Sequence, residues 1–483
     1  MKVCVINGSP KGKYSVTLQT VRYIQALFSD WEWVQIDAGQ RIRAYEKDFS
    51  GALEEIRGAD VILFSYPVYT FLAPWQLHRF IELLKEQNLD LSGKFATQIT
   101  TSKHFYDVTA HRYIEQNCQD LGWKYIRGLS ADMEDLLKKE GQKGAADFWK
   151  YVRFCIENDL YELPERIAKE NVPERIAAEN APEPVAAERV STEVSERLSA
   201  GQSREADAPT RERAPLLKEK RTDKKVLLLT NAQKEDVQLQ ALTEAFQRIF
   251  PWRMETVNIA EYPFAGGCLG CLKCAADGTC VYKDGFADFL REKIQTADGV
   301  VYAYTVKDHS MGASFKIYDD RQFCNGHRTM TMGMPVGYLV NGVLTGEDNL
   351  RTLMQARAEV GHNYLAGIAQ SEAEMKMMSQ KLGYILENGY VLPQNFYGVG
   401  GMKIFRDLIY VMRGMMKADH NFYKKQGFYR DMPHKKKGTM IFMGLAGAMM
   451  SNPKISKKMG NQMNEGMILP YQKIIGEAAA QKK

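Results

Sequence analysis

Short apolar runs alternate with amphipathic stretches along the first third of the chain. Val3 to Ile6, Trp33 to Ile36, Val61 to Phe64 and Phe95 to Thr100 read as strands. Thr17 to Phe28, a segment through Leu53 and Ile56, Trp75 to Leu84 and His111 to Leu121 repeat their apolar positions with the period of a helix. Strands apolar on both faces and separated by helices predict a doubly wound parallel sheet with helices packed on each side. A first α/β domain is expected over residues 1–160.

The pattern then breaks. Residues 161–223 are rich in Pro, Ala, Glu, Arg and Ser, and a nine-residue unit recurs from Pro164, Pro173 and Pro182. So little apolar surface cannot offset the entropy of ordering, so a disordered linker is expected there. A second alternation begins at Lys225 to Asn231 and continues through Val336 to Val340, a strand near Tyr364 to Ile368 and a helix over Ala373 to Asn388. It overlays the first: an offset of 224 lays Asn7 on Asn231, and an offset of 238 lays Ala59 to Tyr66 on Ala297 to Tyr304. The chain reads as a duplication, with the insertion between those anchors holding a cysteine-rich loop. The second α/β domain is expected over 224–396.

From 397 to 483 the chain is basic and Met-rich, and a helical extension is expected; 19 of the 23 methionines follow residue 329. Gly438 to Ser451 is apolar but shorter than the roughly 20 residues a membrane span needs. It reads as a packed or partner-facing helix, and the neighbouring Lys435, Lys436, Lys437, Lys454, Lys457 and Lys458 leave surface attachment to a membrane open.

A length of 483 residues suits two or three folded units. The formal charge of +5 is too small and scattered for a nucleic-acid partner. Met1 to Ile6 already reads as a strand rather than a signal peptide, so a cytoplasmic protein is expected. In a reducing compartment the eight cysteines are not a disulfide framework. Cys4, Cys118, Cys155 and Cys324 are scattered and read as small buried hydrophobes.

Between the first strand and first helix lies Asn7 to Thr17, a turn with Gly8, Gly12, Ser9, Ser15, Thr17, Lys11 and Lys13. A turn between a central strand's carboxyl end and a helix start offers unpaired N–H groups and a positive dipole end, which suit a phosphate. Neither the triphosphatase nor the dinucleotide glycine pattern is present, so a monophosphate fits best. The plain alternative is a capped turn that binds nothing.

These residues resemble the NAD(P)H-dependent FMN reductase and iron–sulfur flavoprotein family. Gly8 to Lys11 with Ser15 and Thr17 is similar to its phosphate signature. Ser65 to Tyr69, followed by Gln76 to Ile81, is similar to its second flavin loop and the helix after it. The resemblance covers the first domain and, more weakly, the second. It implies two flavodoxin-like domains in tandem, with FMN held by Ser9, Lys11, Ser15, Thr17, Tyr66, Pro67, Val68 and Tyr69, and by Thr101 and Ser102 on a third loop beside Lys103. That third loop, Thr100 to Phe105, departs from the glycine-rich form of many relatives.

Cys268, Cys271, Cys274 and Cys280 fall within thirteen residues. A run this compact lets neighbouring thiolates bind different irons of a cubane, whereas four ligands to one zinc usually come as two separated pairs. A [4Fe–4S] cluster is expected, with zinc and a metal-free thiol loop as alternatives; the spacing also resembles the compact motif of iron–sulfur flavoproteins. In the second domain Ala232 to Asp236 replaces the glycine turn with two acids that repel phosphate, and Tyr304 to Lys307 replaces the second flavin loop. That copy is expected to have lost FMN, and the halves to pack so that the cysteine loop approaches the first domain's flavin.

The function expected is an FMN-dependent NAD(P)H oxidoreductase that passes electrons between flavin and cluster, with no catalytic side chain assigned. Its acceptor would be a small molecule or a protein such as ferredoxin, and a homo-oligomer is compatible with the sequence. The rivals are a non-catalytic iron–sulfur carrier or redox-sensing scaffold, and a metal-free interaction protein. His104 and His111 stand beside the third loop and read as structural histidines.

Overall fold

The structure is a computed structural model that describes residues 1–104, 107–163, 219–435 and 437–450. Most of the expected linker and the end of the expected extension lie outside these residues. The described residues form two compact units, one ending at Asp419 and one beginning at His420. The first therefore reaches beyond 396 and takes in a helix over Phe396–Val411, whose Ile409 is fully buried. In the second unit a helix spans Lys437–Met450, where the apolar segment predicts one, and Met440, Ile441 and Phe442 are exposed.

The first half builds β1 (Lys2–Asn7), α1 (Val16–Leu27), β2 (Glu32–Ile36), α2 (Ala38–Tyr45), α3 (Ser50–Gly58), β3 (Val61–Pro67), α4 (Trp75–Glu86), β4 (Phe95–Ser102), α5 (Val108–Asp120), β5 (Lys124–Tyr125), β6 (Leu129–Asp132) and α6 (Lys139–Glu157). Its strands run parallel in the order β2-β1-β3-β4-β5, and β6 also pairs with β4. Val3, Val5, Val61, Ile62 and Leu63 are fully buried, as the unbroken apolar runs require of strands covered on both faces. Trp149 of α6 is inaccessible to solvent and meets the Trp31 ring edge-on at 5.5 Å. The helix α2 is absent from the hydrophobic pattern.

The second half repeats the plan with β7 (Arg221–Thr230), α7 (Val237–Ile249), β8 (Trp252–Asn258), β9 (Gly299–Thr305), α8 (Gly312–Arg321), β10 (Pro335–Asn341), α9 (Asp348–Val360), β11 (Tyr364–Ala369) and α10 (Glu372–Asn388). The strand order is β11-β10-β9-β7-β8, all parallel. Numbered within each half, both sheets read 2-1-3-4-5. In that topology the crossovers leave strand 1 on one face and strand 3 on the other, opening a crevice at the strands' carboxyl ends. The register corrects the expected overlay by one residue. Asn7 pairs with Ser65, and it is Thr230 that pairs with Ala303, so β7 follows β1 at an offset of 223 rather than 224.

The halves meet through α4 and α8. At the offset of 238, Trp75 corresponds to Ala313 and Glu82 to Asp320. Asp320 Oδ2 accepts the Trp75 N–H at 2.9 Å, and Glu82 Oε1 accepts the Ala313 N–H at 2.7 Å. Each half thus satisfies a first-turn donor of the other's helix, a group the helix itself leaves unpaired.

Candidate functional site

The turn after β1 is built by its own polar groups. The Gly8 N–H donates to the Ser65 carbonyl, the Ser9 N–H to Asn7 Oδ1, and the Lys11 N–H to Ser9 Oγ. Gly12 takes φ +51°, a left-handed value glycine adopts without strain, and the Gln40 side chain of α2 fills the space where a Cβ would stand. Ser15 caps α1 by accepting the Leu18 N–H at 3.4 Å. The N–H groups of Val16 and Thr17 precede any intrahelical acceptor and stay available to an anion. Ser9, Ser15 and Thr17 are buried, and Thr17 Oγ1 lies 2.6 Å from Thr101 Oγ1, joining the first and third loops. Among the described residues neither Lys11 nor Lys13 has a carboxylate within ion-pair distance; the Lys13 ammonium lies 5.2 Å from the Tyr14 ring centroid. These cations, helix-start N–H groups and buried hydroxyls are a donor set that suits a phosphate.

The second loop leaves β3 at Pro67. The Tyr66 ring does not edge this loop: it is inaccessible to solvent, and its hydroxyl donates to Gln98 Oε1 at 2.6 Å. Strand alternation turns that side chain into the core, so only its backbone reaches the crevice. The Val68 N–H donates to the Thr101 carbonyl. Tyr69 and Leu72 exchange backbone hydrogen bonds of 2.8 and 3.0 Å across Thr70 and Phe71, both at positive φ. Lys307 and Ser310 close the same turn in the second half, across Asp308 and His309.

The third loop is occupied with itself. Ser102 Oγ donates to Asp107 Oδ2 at 3.0 Å and accepts the His104 N–H at 2.9 Å, and Lys103 pairs with Asp132. Burial opposes the charge on Asp107, but hydrogen bonds from Ser130 and Ser102 hold its carboxyl below the usual range. Burial pushes His111 down to about 4, so the ring is neutral, with Nε2 2.8 Å from Thr100 Oγ1.

In the second half the corresponding first turn is filled by the chain. Asp236 Oδ2 accepts the Gln233 N–H at 2.8 Å, which places a carboxylate within the turn.

The cysteine loop packs against the first half. A Cβ added at Gly270 would lie 2.0 Å from the Tyr69 hydroxyl and 3.5 Å from Lys11 Cε, and one added at Gly267 would lie 1.5 Å from Trp75 Nε1. Arg321 fastens the loop, donating to the Gly266 carbonyl at 2.8 Å and to both oxygens of Asp284. Arg328 donates to the Cys274 carbonyl. Among the described residues no three His, Cys, Asp or Glu side chains stand close enough to hold one metal ion, although Cys271 is near enough to raise the Cys268 and Cys274 thiols further. Cys271 is exposed, while Cys268 and Cys274 are partly covered, and burial pushes their thiols up to about 12 and about 11. Cys280 instead shares a hydrogen bond with Cys324, which holds the Cys280 thiol down to about 6. Cys324, read as an isolated hydrophobe, is thus a neighbour of this loop that spacing alone could not reveal.

No curated protein matches the chain. Among solved structures, an FMN-dependent NADH-azoreductase from Bacillus anthracis in complex with FMN shares 15% identity over 32% of this chain and 99% of its own, with a TM-score of 0.25. An NAD(P)H:quinone oxidoreductase from Methanothermobacter marburgensis shares 12% over 34% and 98%, with a TM-score of 0.27. An NADH:FMN oxidoreductase in its apo form shares 18% over 34% and 92%, with a TM-score of 0.29. No helix of the described residues is long and apolar enough to cross a membrane. Residues 1–125 match the family described as the flavodoxin-like fold, and the 2-1-3-4-5 sheet they build is the architecture of that fold.

Proposed function

We propose that the chain is an FMN-dependent NAD(P)H oxidoreductase whose single flavin site lies at the carboxyl ends of the first sheet. The observation that carries this reading is the turn after β1, with a capped helix start, buried hydroxyls and two lysines that have no carboxylate within ion-pair distance among the described residues. Ser9, Lys11, Ser15 and Thr17 would hold the phosphate. The Tyr66 backbone, Pro67, Val68 and Tyr69 would flank the ring, and Thr101 and Ser102 would contribute from the third loop. FMN supplies the exchange of a hydride from NAD(P)H for single electrons. The protein's share is to bind the phosphate, to fix the ring-facing loop through the Tyr69–Leu72 turn, and to cover it with the cysteine loop.

Cys268, Cys271, Cys274 and Cys280 remain the proposed ligands of a [4Fe–4S] cluster, on their spacing. Of the four, Cys271 is exposed and Cys280 shares a hydrogen bond with Cys324. Electron exchange with the flavin, and a small-molecule or ferredoxin-like acceptor, belong to this proposal.

The test is an anaerobic preparation of the full chain, offered excess FMN, with flavin, iron and sulfide counted and NADH and NADPH oxidation followed. Retained FMN with turnover of either nucleotide is expected. Failure to retain FMN overturns the reading. Retained FMN without iron, after reconstitution with iron and sulfide, removes the cluster and leaves the flavin.

A further inference from the structure

We propose that Lys316, in the half that has no phosphate-accepting turn, is a positioning residue for the flavin loop of the other half; the proposal rests on the flavin reading above. Lys316 is inaccessible to solvent, and an ammonium stripped of water persists only where it is paired and hydrogen-bonded. Its Nζ lies 3.0 Å from the Tyr69 carbonyl, 2.5 Å from Thr70 Oγ1, 3.2 Å from Asp319 Oδ2 and 2.5 Å from Asp320 Oδ1. Thr70 Oγ1 in turn donates to Asp319 Oδ2 at 2.5 Å. Asp320 also accepts the Trp75 N–H, so one helix of the second half holds both ends of the segment from Tyr69 to Trp75. Between those ends Thr70 and Phe71 take left-handed φ values of 47° and 67°, a conformation that side-chain-bearing residues keep only when their surroundings impose it.

The pseudo-symmetry separates scaffold from positioning. The caps by Glu82 and Asp320 occur once in each direction and follow from pairing two like halves. Lys316 has no such mate. The corresponding residue is His78, whose ring stacks on Tyr113 with centroids 4.1 Å apart, and whose Nε2 has no partner among the described residues. A fully buried lysine therefore reaches one turn only, that of the half that carries the phosphate-accepting turn. The matching turn of the second half is gripped from the first by other groups, the partly exposed Lys85 on the Asp308 carboxylate and Asn117 on the Asp308 carbonyl, so what is particular to the first half's turn is a cation shut off from water.

The experiment compares full-length wild type, Lys316→Met and, as the control for interface damage, Glu82→Gln. FMN affinity is read from quenching of flavin fluorescence, and loop order from amide hydrogen exchange of Tyr69 and Leu72 in the flavin-free chain. Lys316→Met is expected to weaken FMN binding by roughly tenfold or more and to speed exchange at both amides. Glu82→Gln is expected to change neither by more than about twofold. Should Lys316→Met fail to fold, the charge-balanced pair Lys316→Met with Asp320→Asn takes its place. Wild-type FMN affinity in a folded Lys316 variant, or equal losses in it and in Glu82→Gln, overturns the positioning role. A wild-type chain that retains no FMN overturns the underlying reading as well, and shows itself before any variant is compared.

Discussion

His309 Nε2 lies 3.0 Å from the carboxylate of Asp120 in the other half, while its Nδ1 lies 2.8 Å from Glu347 in its own. Burial disfavours the charged ring, but the hydrogen bonds and charges of the two carboxylates outweigh it and raise the pKa to about 9. In the unfolded chain the value is about 6.5. The stabilisation is fully present below about pH 6.5 and is lost as pH rises through about 9. Because Asp120 is partly exposed, its size is discounted to about 1–2 kcal/mol. Urea midpoints at pH 6, 7.5 and 9 are expected to fall on the alkaline side for wild type and to flatten in His309→Asn. An equal fall in both would remove His309 from the interface account.

The reciprocal caps make a matched prediction. Glu82 accepts the Ala313 N–H and lies within ion-pair distance of Arg79 and Lys307, so Glu82→Ala strands the buried Ala313 N–H, while Arg79 keeps Glu46 and Glu86 and Lys307 keeps water. Asp320→Ala strands the Trp75 N–H and leaves Asp319 as the one carboxylate paired with Lys316. Each is expected to cost about 2–4 kcal/mol by thermal or urea denaturation. A cost below about 0.5 kcal/mol for either would mean the caps do not hold the halves together.

At the phosphate turn, Lys11→Met is expected to weaken FMN binding roughly tenfold and to reduce its dependence on salt, since one cation facing the phosphate is lost. Fluorescence titrations at two ionic strengths check both. A parallel loss with unchanged salt dependence would assign Lys11 a structural part instead.

Gly267→Ala tests the contact of the cysteine loop with α4. The added methyl would stand 1.5 Å from the Trp75 indole nitrogen, within a wall that includes buried Trp75. The loop must lift or the indole must turn, at a cost of about 1–3 kcal/mol. A shift in tryptophan fluorescence should accompany it. Unchanged stability and emission would show that this packing contributes nothing.

Both sheets were legible because their central strands are buried on both faces and so spell continuous apolar runs. Gly8, Ser15 and Thr17 stood out because turn chemistry is local. The short or half-exposed strands β5, β6 and β8 carry no such apolar run, and three further things were hidden. The helix Ala38–Tyr45 carries charged and glycine positions, and Gly39 packs against the Ser9 backbone, a contact no periodicity encodes. Lys316, Asp319, Asp320 and Arg321 look like a solvated helix face yet are all buried, because their partners lie in other segments: Tyr69 and Thr70 in the other half, Asp284 and Arg357 in their own. The Tyr66 ring could not be assigned to core or crevice from its motif, since both sides of β3 are apolar.

The Asp236 carboxylate has a consequence for stoichiometry. At the offset of 223 it stands where Lys13 stands in the first half, so the second turn carries a negative charge where the first carries a positive one. Raising FMN far above saturation should therefore load one flavin per chain and no more. The second turn would turn a phosphate away at the position where its twin would draw one in.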